Sequence, residues 1–257
     1  MPLATPVASP EASPASADPA TVAQVEAVIR ALAACLTAGR PEVVADLVTE
    51  RFLGQMYGGG DRLSREEYLA LSQTLPTIPL TILAVTGTRL DDAKTATAVV
   101  ESVLGNQLQR GIWTVKRGAS AAQWRVDHIE SLAPVPPADT SQIRVRIEDY
   151  SFSLSTRRVP GPDVVLSGEN RGKEDHELLV LRLAAGVSTD VLLTEPGPGF
   201  PNGVTFIGQV TIPAGQSGEL VLVGLRPGSY ALVCLLPDAD GVPHLALGMK
   251  TRFTVER

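Results

Sequence analysis

The sequence predicts two domains: an α+β cone, with helices packed on a curved antiparallel sheet, followed by an all-β Greek-key sandwich. Three observations carry this. Between Thr21 and about Leu132, apolar residues first recur at helical spacing and then alternate as in strands. "APVPPADTSQ" (133–142), with three prolines, reads as a linker. From Ile143 to Arg257 helical periodicity is absent, and about seven short β-rich segments are separated by Gly, Pro, Asn and Asp clusters.

In the first domain (21–132), "TVAQVEAVIRALAACLTAG" places Val22, Val25, Val28, Ile29, Leu32 and Leu36 on one stripe. That spacing predicts a helix with Thr21 as N-cap and Gly39 closing it. "PEVVADLVTERFL" predicts a second helix with Pro41 in its first turn. "SREEYLALSQTL" predicts a third, with Ser64 and Glu67 in capping-box spacing. The strands "LTILAVTGTRL", "KTATAVVESVL", "LQRGIWTVKRG" and "AQWRVDHIESL" follow. In the second domain (143–257) the expected strands lie in "IRVRIEDYSFSLS", "DVVLSGEN", "HELLVLRLA", "GVTFIGQVTIP", "SGELVLVGL", "SYALVCLL" and "KTRFTVE".

Composition narrows the function. A net charge of −6 argues against a nucleic-acid partner, which needs a basic face. No run looks apolar enough to supply the roughly 20 residues of a membrane-spanning helix, so no membrane span is expected. Residues 1–20 are mostly Pro, Ala, Ser and Thr, a composition with nothing to bury and hence expected to be a disordered tether. It lacks a basic segment followed by an apolar one, so it is not itself a signal peptide. It resembles the low-complexity tethers of exported bacterial proteins, which places the expected location outside the cytoplasm, periplasmic or secreted. No phosphate-binding glycine loop, zinc-protease helix or nucleophile elbow is present.

The soft metal ligands are few: two cysteines, three histidines and three methionines in 257 residues. Yet "CLLPDADGVPHLALGM" puts Cys234, His244 and Met249 in one short segment, at the end of the strand in "PGSYALVC". "ENRGKEDHELLVL" places His176 where a turn enters an apolar strand. Taken singly, each has an ordinary structural reading: a packed thiol, a turn histidine, a methionine filling a core gap. Taken together, two histidines, a thiolate and a weakly held thioether are the donor set of a blue-copper site.

These residues resemble the cupredoxins, the plastocyanin and azurin family. "NRGKEDH" is similar to that family's approach to its first histidine, "PGSYALVC" to its cysteine strand, and the H-x4-M spacing of His244 and Met249 to its ligand loop. The resemblance implies one type 1 copper, with His176, Cys234 and His244 as equatorial ligands and Met249 as the axial one. It also implies a redox partner protein or a role in copper handling. Two features depart from the family. Nine residues separate Cys234 from His244, a longer gap than in the small electron carriers. Glu177 stands where an asparagine often follows the first histidine and locks the loop, so a looser loop is expected. His128 is the one histidine left over, too few for a catalytic copper enzyme. The apolar neighbours of His244 (Val242, Pro243, Leu245 and Leu247) are expected to divide between capping the metal and docking a partner around the imidazole edge.

In the first domain, "LSREEYLAL" and the closing "WRVD" strand resemble the SnoaL-like, nuclear-transport-factor-like family, whose cone encloses a pocket. The residues able to do chemistry there are Tyr57, Asp61, Tyr68, Glu101, Arg110, Trp113, Asp127 and His128. Of these, Tyr57, Tyr68, Glu101, Trp113 and His128 are the candidate pocket lining, and no catalytic residue is assigned. The competing expectation is a small-ligand-binding or isomerase/cyclase-type protein whose second domain binds no metal. Many SnoaL-like proteins pair, so a homodimer through the first domain is a further expectation.

Overall fold

The computed structural model describes residues 15–58, 60, 62–118, 123–194 and 199–257. Of the expected tether, residues 1–14 lie outside these, as does Asp61. The remainder of the tether is structured. Strand β1 (Ala15–Ser16) pairs with Leu90 and Arg89 of a later strand. Asp18 caps helix α1 (Pro19–Thr37), accepting from the N–H groups of Ala20 and Thr21, each at 3.0 Å. The cap is Asp18 instead of Thr21 because one carboxylate reaches both free N–H groups, while Pro19 at the first position has none to satisfy.

Helix α1 has 19 residues and contains an 18-residue window of mean hydropathy 1.4, long and apolar enough by those measures to cross a membrane, contrary to the expectation that no run qualifies. Here Val25, Val28, Ile29 and Leu32 bury against the first core. The expected second helix is two. Helix α2 (Pro41–Leu47) stops where Val48 turns extended and bridges to Val126. Thr49 then caps α3 (Glu50–Leu53), its Oγ1 accepting from Phe52 N at 3.3 Å. A π-helical turn (Gly54–Gly58) follows, and α4 (Arg65–Ser72) opens on the Ser64–Glu67 capping box as expected.

Strands β2 (Leu80–Asp92), β3 (Thr95–Leu104), β4 (Gln107–Arg117) and β5 (Trp124–Leu132) form an antiparallel meander. The β2–β3 ladder shifts register three times, and such bulges bend a sheet. The helices bury Phe52, Leu53 and Tyr68 against Trp113, Trp124 and Val126 of this sheet.

The second half is a sandwich. One layer holds β6 (Ser141–Glu148), β7 (Ser151–Leu154), β9 (Val164–Asn170) and β12 (Ser217–Leu222). The other runs β11 (Val204–Ile212), β10 (His176–Leu183), β13 (Gly228–Val233), β14 (Lys250–Glu256) and β8 (Arg158–Pro160) in spatial order. A single-turn helix, α5 (Val191–Thr194), lies between β10 and β11. Ile143, Ile147, Leu166, Leu178, Val180, Leu232 and Phe253 fill the space between the layers. Strand β10 is buried on its other face too, where Leu179 and Leu181 meet Phe206, Val233 and Leu104.

The halves share a sheet. Gln107 of β4 pairs with Leu222 of β12, which makes eight strands continuous from β1 to β7, with β5 branching from β4 as the ninth strand of the sheet. The β3–β4 turn seals the join. Asn106 N donates to Ile207 O and Asn106 O accepts from Val223 N, both at 2.8 Å. Its side-chain amide donates to Val223 O at 2.8 Å. Gly105 precedes it with φ +63°, a left-handed conformation that glycine adopts without cost.

Candidate metal centre

His176 opens β10, and Cys234 follows the last residue of β13, the strand beside it. Adjacent strand ends therefore bring the imidazole and the thiol together. His244 comes from the β13–β14 connection, where its N–H donates to Leu236 O at 2.9 Å. Its carbonyl accepts from Met249 N at 3.0 Å, and Met249 O accepts from Cys234 N at 3.3 Å. That connection is thus fastened to the cysteine strand at both ends.

The three side chains converge. His176 Nδ1 lies 3.0 Å from His244 Nδ1, and Cys234 Sγ lies 3.3 Å from the same His244 nitrogen. All three ligand atoms fall within 4.8 Å of one another, and all three residues are buried. The outward ring nitrogens meet carboxylates: His176 Nε2 is 3.2 Å from Asp149 Oδ1, and His244 Nε2 is 2.9 Å from Glu174 Oε2. The second contact is short enough for a hydrogen bond but lies off its direction. Asp149 and Tyr150 arrive from the β6–β7 turn, where Tyr150 has φ +65° and its ring stands edge-on to His244 at 5.1 Å. Asn170, also buried, ties down the approach to His176 by donating to Glu174 O and Ile212 O, each at 2.9 Å. A Cβ at Gly172 would overlap Asp149 Oδ1 and press on His176 Nε2, so a larger residue there would displace the Asp149 side chain.

This arrangement fits a cation. Carboxylates beside both Nε2 atoms favour the tautomer protonated there, which turns both Nδ1 lone pairs inward. Two inward lone pairs 3.0 Å apart, beside a thiol, repel unless a proton or a metal ion lies between them. A metal–imidazole bond is about 2 Å long, so one ion can touch both nitrogens. Burial disfavours charge on the thiol and on the His176 ring. Burial pushes the Cys234 thiol up to about 11, against the opposing N–H groups of Glu177 and Leu236. Burial also lowers His176 below its ordinary 6.5, despite the nearby Asp149. For Asp149, burial works upward, but the Lys173 N–H, the His176 ring and the Glu174 N–H together hold it below the usual carboxylate value.

No family model matches the chain, and no curated relative does. Solved structures resemble parts of it. Dithionite-reduced auracyanin from the photosynthetic bacterium Roseiflexus castenholzii is 17% identical over 46% of this chain and 98% of its own, with a TM-score of 0.34. Auracyanin B is 19% identical over 49% of this chain and 94% of its own, with a TM-score of 0.34. A ketosteroid isomerase homologue from Kribbella flavida is 22% identical over 46% of this chain and 86% of its own, with a TM-score of 0.28. These match the two resemblances carried by the sequence, a cupredoxin and a SnoaL-like protein. The donor geometry stands apart from them, on distances within this chain.

The remaining candidates fall into place differently. Met249 is fully buried in the core that also holds Cys234. The imidazole edge of His244 is not exposed: its side chain is 1% accessible, under Tyr150 and Glu174. Leu245 is core, while Val242 and Leu247 remain exposed at 37% and 42%. The five residues expected to line a pocket in the first domain do not share one. Tyr57 and Tyr68 do, with rings 5.2 Å apart, in a cavity of about 210 Å³ that Cys35 also lines. Burial raises both phenols, each near a second acidic group: Tyr68 for Tyr57, Glu42 for Tyr68. Trp113 is core. Glu101 lies on the opposite strand face from the buried Ala98, Val100 and Ser102, 3.7 Å from Arg110. His128 was expected on the Trp124 and Val126 face, but the ladder skips Asp127, and Ile129 takes the core position instead. The bulged Asp127 is buried and bonds Thr49 at 2.9 Å, Lys116 at 2.8 Å and Arg51 at 3.2 Å.

Sequence reasoning missed Asp149, Tyr150, Glu174 and Asn170. Glu174 and Asn170 lie within the very motif that drew attention to His176, but nothing in a carboxylate's spacing marks it as a histidine's partner.

Proposed function

We propose that this chain is an extracytoplasmic copper protein with one type 1 site, serving copper handling or electron transfer. His176, Cys234 and His244 are the equatorial ligands and Met249 the axial one. The observation that carries the reading is the buried convergence of His176 Nδ1, His244 Nδ1 and Cys234 Sγ within 4.8 Å, with both outward nitrogens beside carboxylates. Two imidazoles, a thiolate and a distant thioether suit both oxidation states of copper. Asp149 holds the His176 ring in the ligating tautomer, and Glu174 lies beside the outward nitrogen of His244. The core around Met249 and Leu245 keeps water out. Bound copper would supply one-electron chemistry there, or be the cargo. The cover over His244 favours holding copper over exchanging electrons through the imidazole edge. The composition of residues 1–20 supports a location outside the cytoplasm.

Copper(II) added to the full chain should give one equivalent of binding and an intense visible band from thiolate-to-copper charge transfer. Cys234→Ala should abolish the band. A colourless wild-type complex would overturn the reading. A second function would then gain weight, because the Tyr57–Tyr68 cavity offers two phenols that, among the described residues, make no hydrogen bond to protein.

A further inference from the structure

The β10–β13 ladder ends with Leu179 opposite Val233, so continued register would set Glu177 opposite Leu235. No backbone bond is made there. Instead the Glu177 carboxylate takes the Leu235 N–H, with Oε1 at 2.6 Å, while the Glu177 N–H points at Cys234 Sγ from 3.4 Å. The other oxygen, Oε2, accepts from the Gln209 amide at 2.6 Å. Gln209 is fixed in turn, since its backbone N–H donates to Gln107 Oε1 at 3.1 Å, across the join between the two halves. Glu177 is 3% exposed, and among the described residues it has no Lys or Arg partner. A buried carboxylate without a cation is costly, so its two donors dictate where it sits.

We infer that Glu177, held by Gln209, is a positioning residue that locks the cysteine end of the ligand loop to β10. The longer loop is therefore fastened, not loose, and the fastening reaches the first half of the chain through Gln107. The lock itself exists without metal; its effect on copper rests on the function proposed above. Replacing Glu177 by Leu removes both acceptors, and Gln209→Leu removes the donor that aims the carboxylate. Glu177→Gln keeps one acceptor for Leu235 and can pair with a flipped Gln209 amide, so it should behave as a rescue.

Two measurements on the full chain test this. In metal-free protein, amide exchange at Leu235 should be on the order of tenfold faster in Glu177→Leu and measurably faster in Gln209→Leu, the size of effect expected for a lost hydrogen bond to a charged group. Glu177→Gln should stay close to wild type, and amides of β6 and β9 should not change in any variant. In copper-loaded protein, release to a chelator should quicken in the same order. Wild-type exchange at Leu235 in a folded Gln209→Leu protein, with unchanged copper release, would overturn the lock even if Glu177→Leu failed to fold. If wild type binds no copper, the copper reading fails by itself, and the exchange measurement still decides the lock.

Discussion

Three side chains at one end of the sandwich show most clearly what a sequence can reveal about a single residue. His176, Cys234 and His244 were legible because their types are scarce and occur in ligand order. The carboxylates beside the two histidines were not, because acids are common and Asp149 is placed by a turn between strands far from the ligands in sequence. His128 was misplaced by one bulged residue, Asp127, since a strand's alternation reverses where one residue is skipped. The residue chemistry also fixes a pH dependence. With the thiol pushed up to about 11, Cys234 is protonated near neutrality and must lose its proton to bind metal. Each unit of rising pH below that value should therefore tighten copper binding by about tenfold, and falling pH should weaken it. Competition titrations against a chelator of known pH dependence will show the slope. A flat response would mean that Cys234 is no ligand.

At the scale of elements, periodicity located most strands, because alternate burial is written directly in side chains. However, "IRVRIEDYSFSLS" is two strands, β6 and β7, and β8 lies in no expected segment. Helix ends were read less well. Asp18 displaced Thr21 as the first cap, and Thr49 split the expected second helix, since capping depends on which side chain reaches a free N–H. Thr49 also bonds the buried Asp127, so the break joins a helix start to the sheet. Removing the Asp18 carboxylate leaves two N–H groups of α1 without that acceptor. Asp18→Ala should then cost about 1 kcal/mol, lowering the melting midpoint by a few degrees. Deleting residues 1–20 should do at least as much. An unchanged midpoint in calorimetry would mean the cap is replaced by water at no cost.

Across the whole molecule, the prolines of 133–142 announced a division that the backbone partly undoes. The join at Gln107–Leu222 and the bonds of Asn106 are mostly main-chain contacts, which carry no side-chain pattern to read. Asn106→Ala deletes the amide bonds to Val223 and Gly224 and leaves those carbonyls less satisfied. It should weaken the coupling of the halves, so that a single calorimetric transition broadens or splits into two. A sharp transition at an unchanged midpoint would show that the remaining main-chain bonds and the Phe206–Leu104 packing suffice.

The claim on which the rest depends is that copper sits between His176, His244 and Cys234. X-ray absorption at the copper edge, on the copper-loaded full chain, reads the ligands themselves. The proposed function predicts a first shell of two imidazole nitrogens and one thiolate sulfur, with the sulfur lost in Cys234→Ala. A shell of nitrogen and oxygen without sulfur would contradict it, and would put the metal on some other part of the surface.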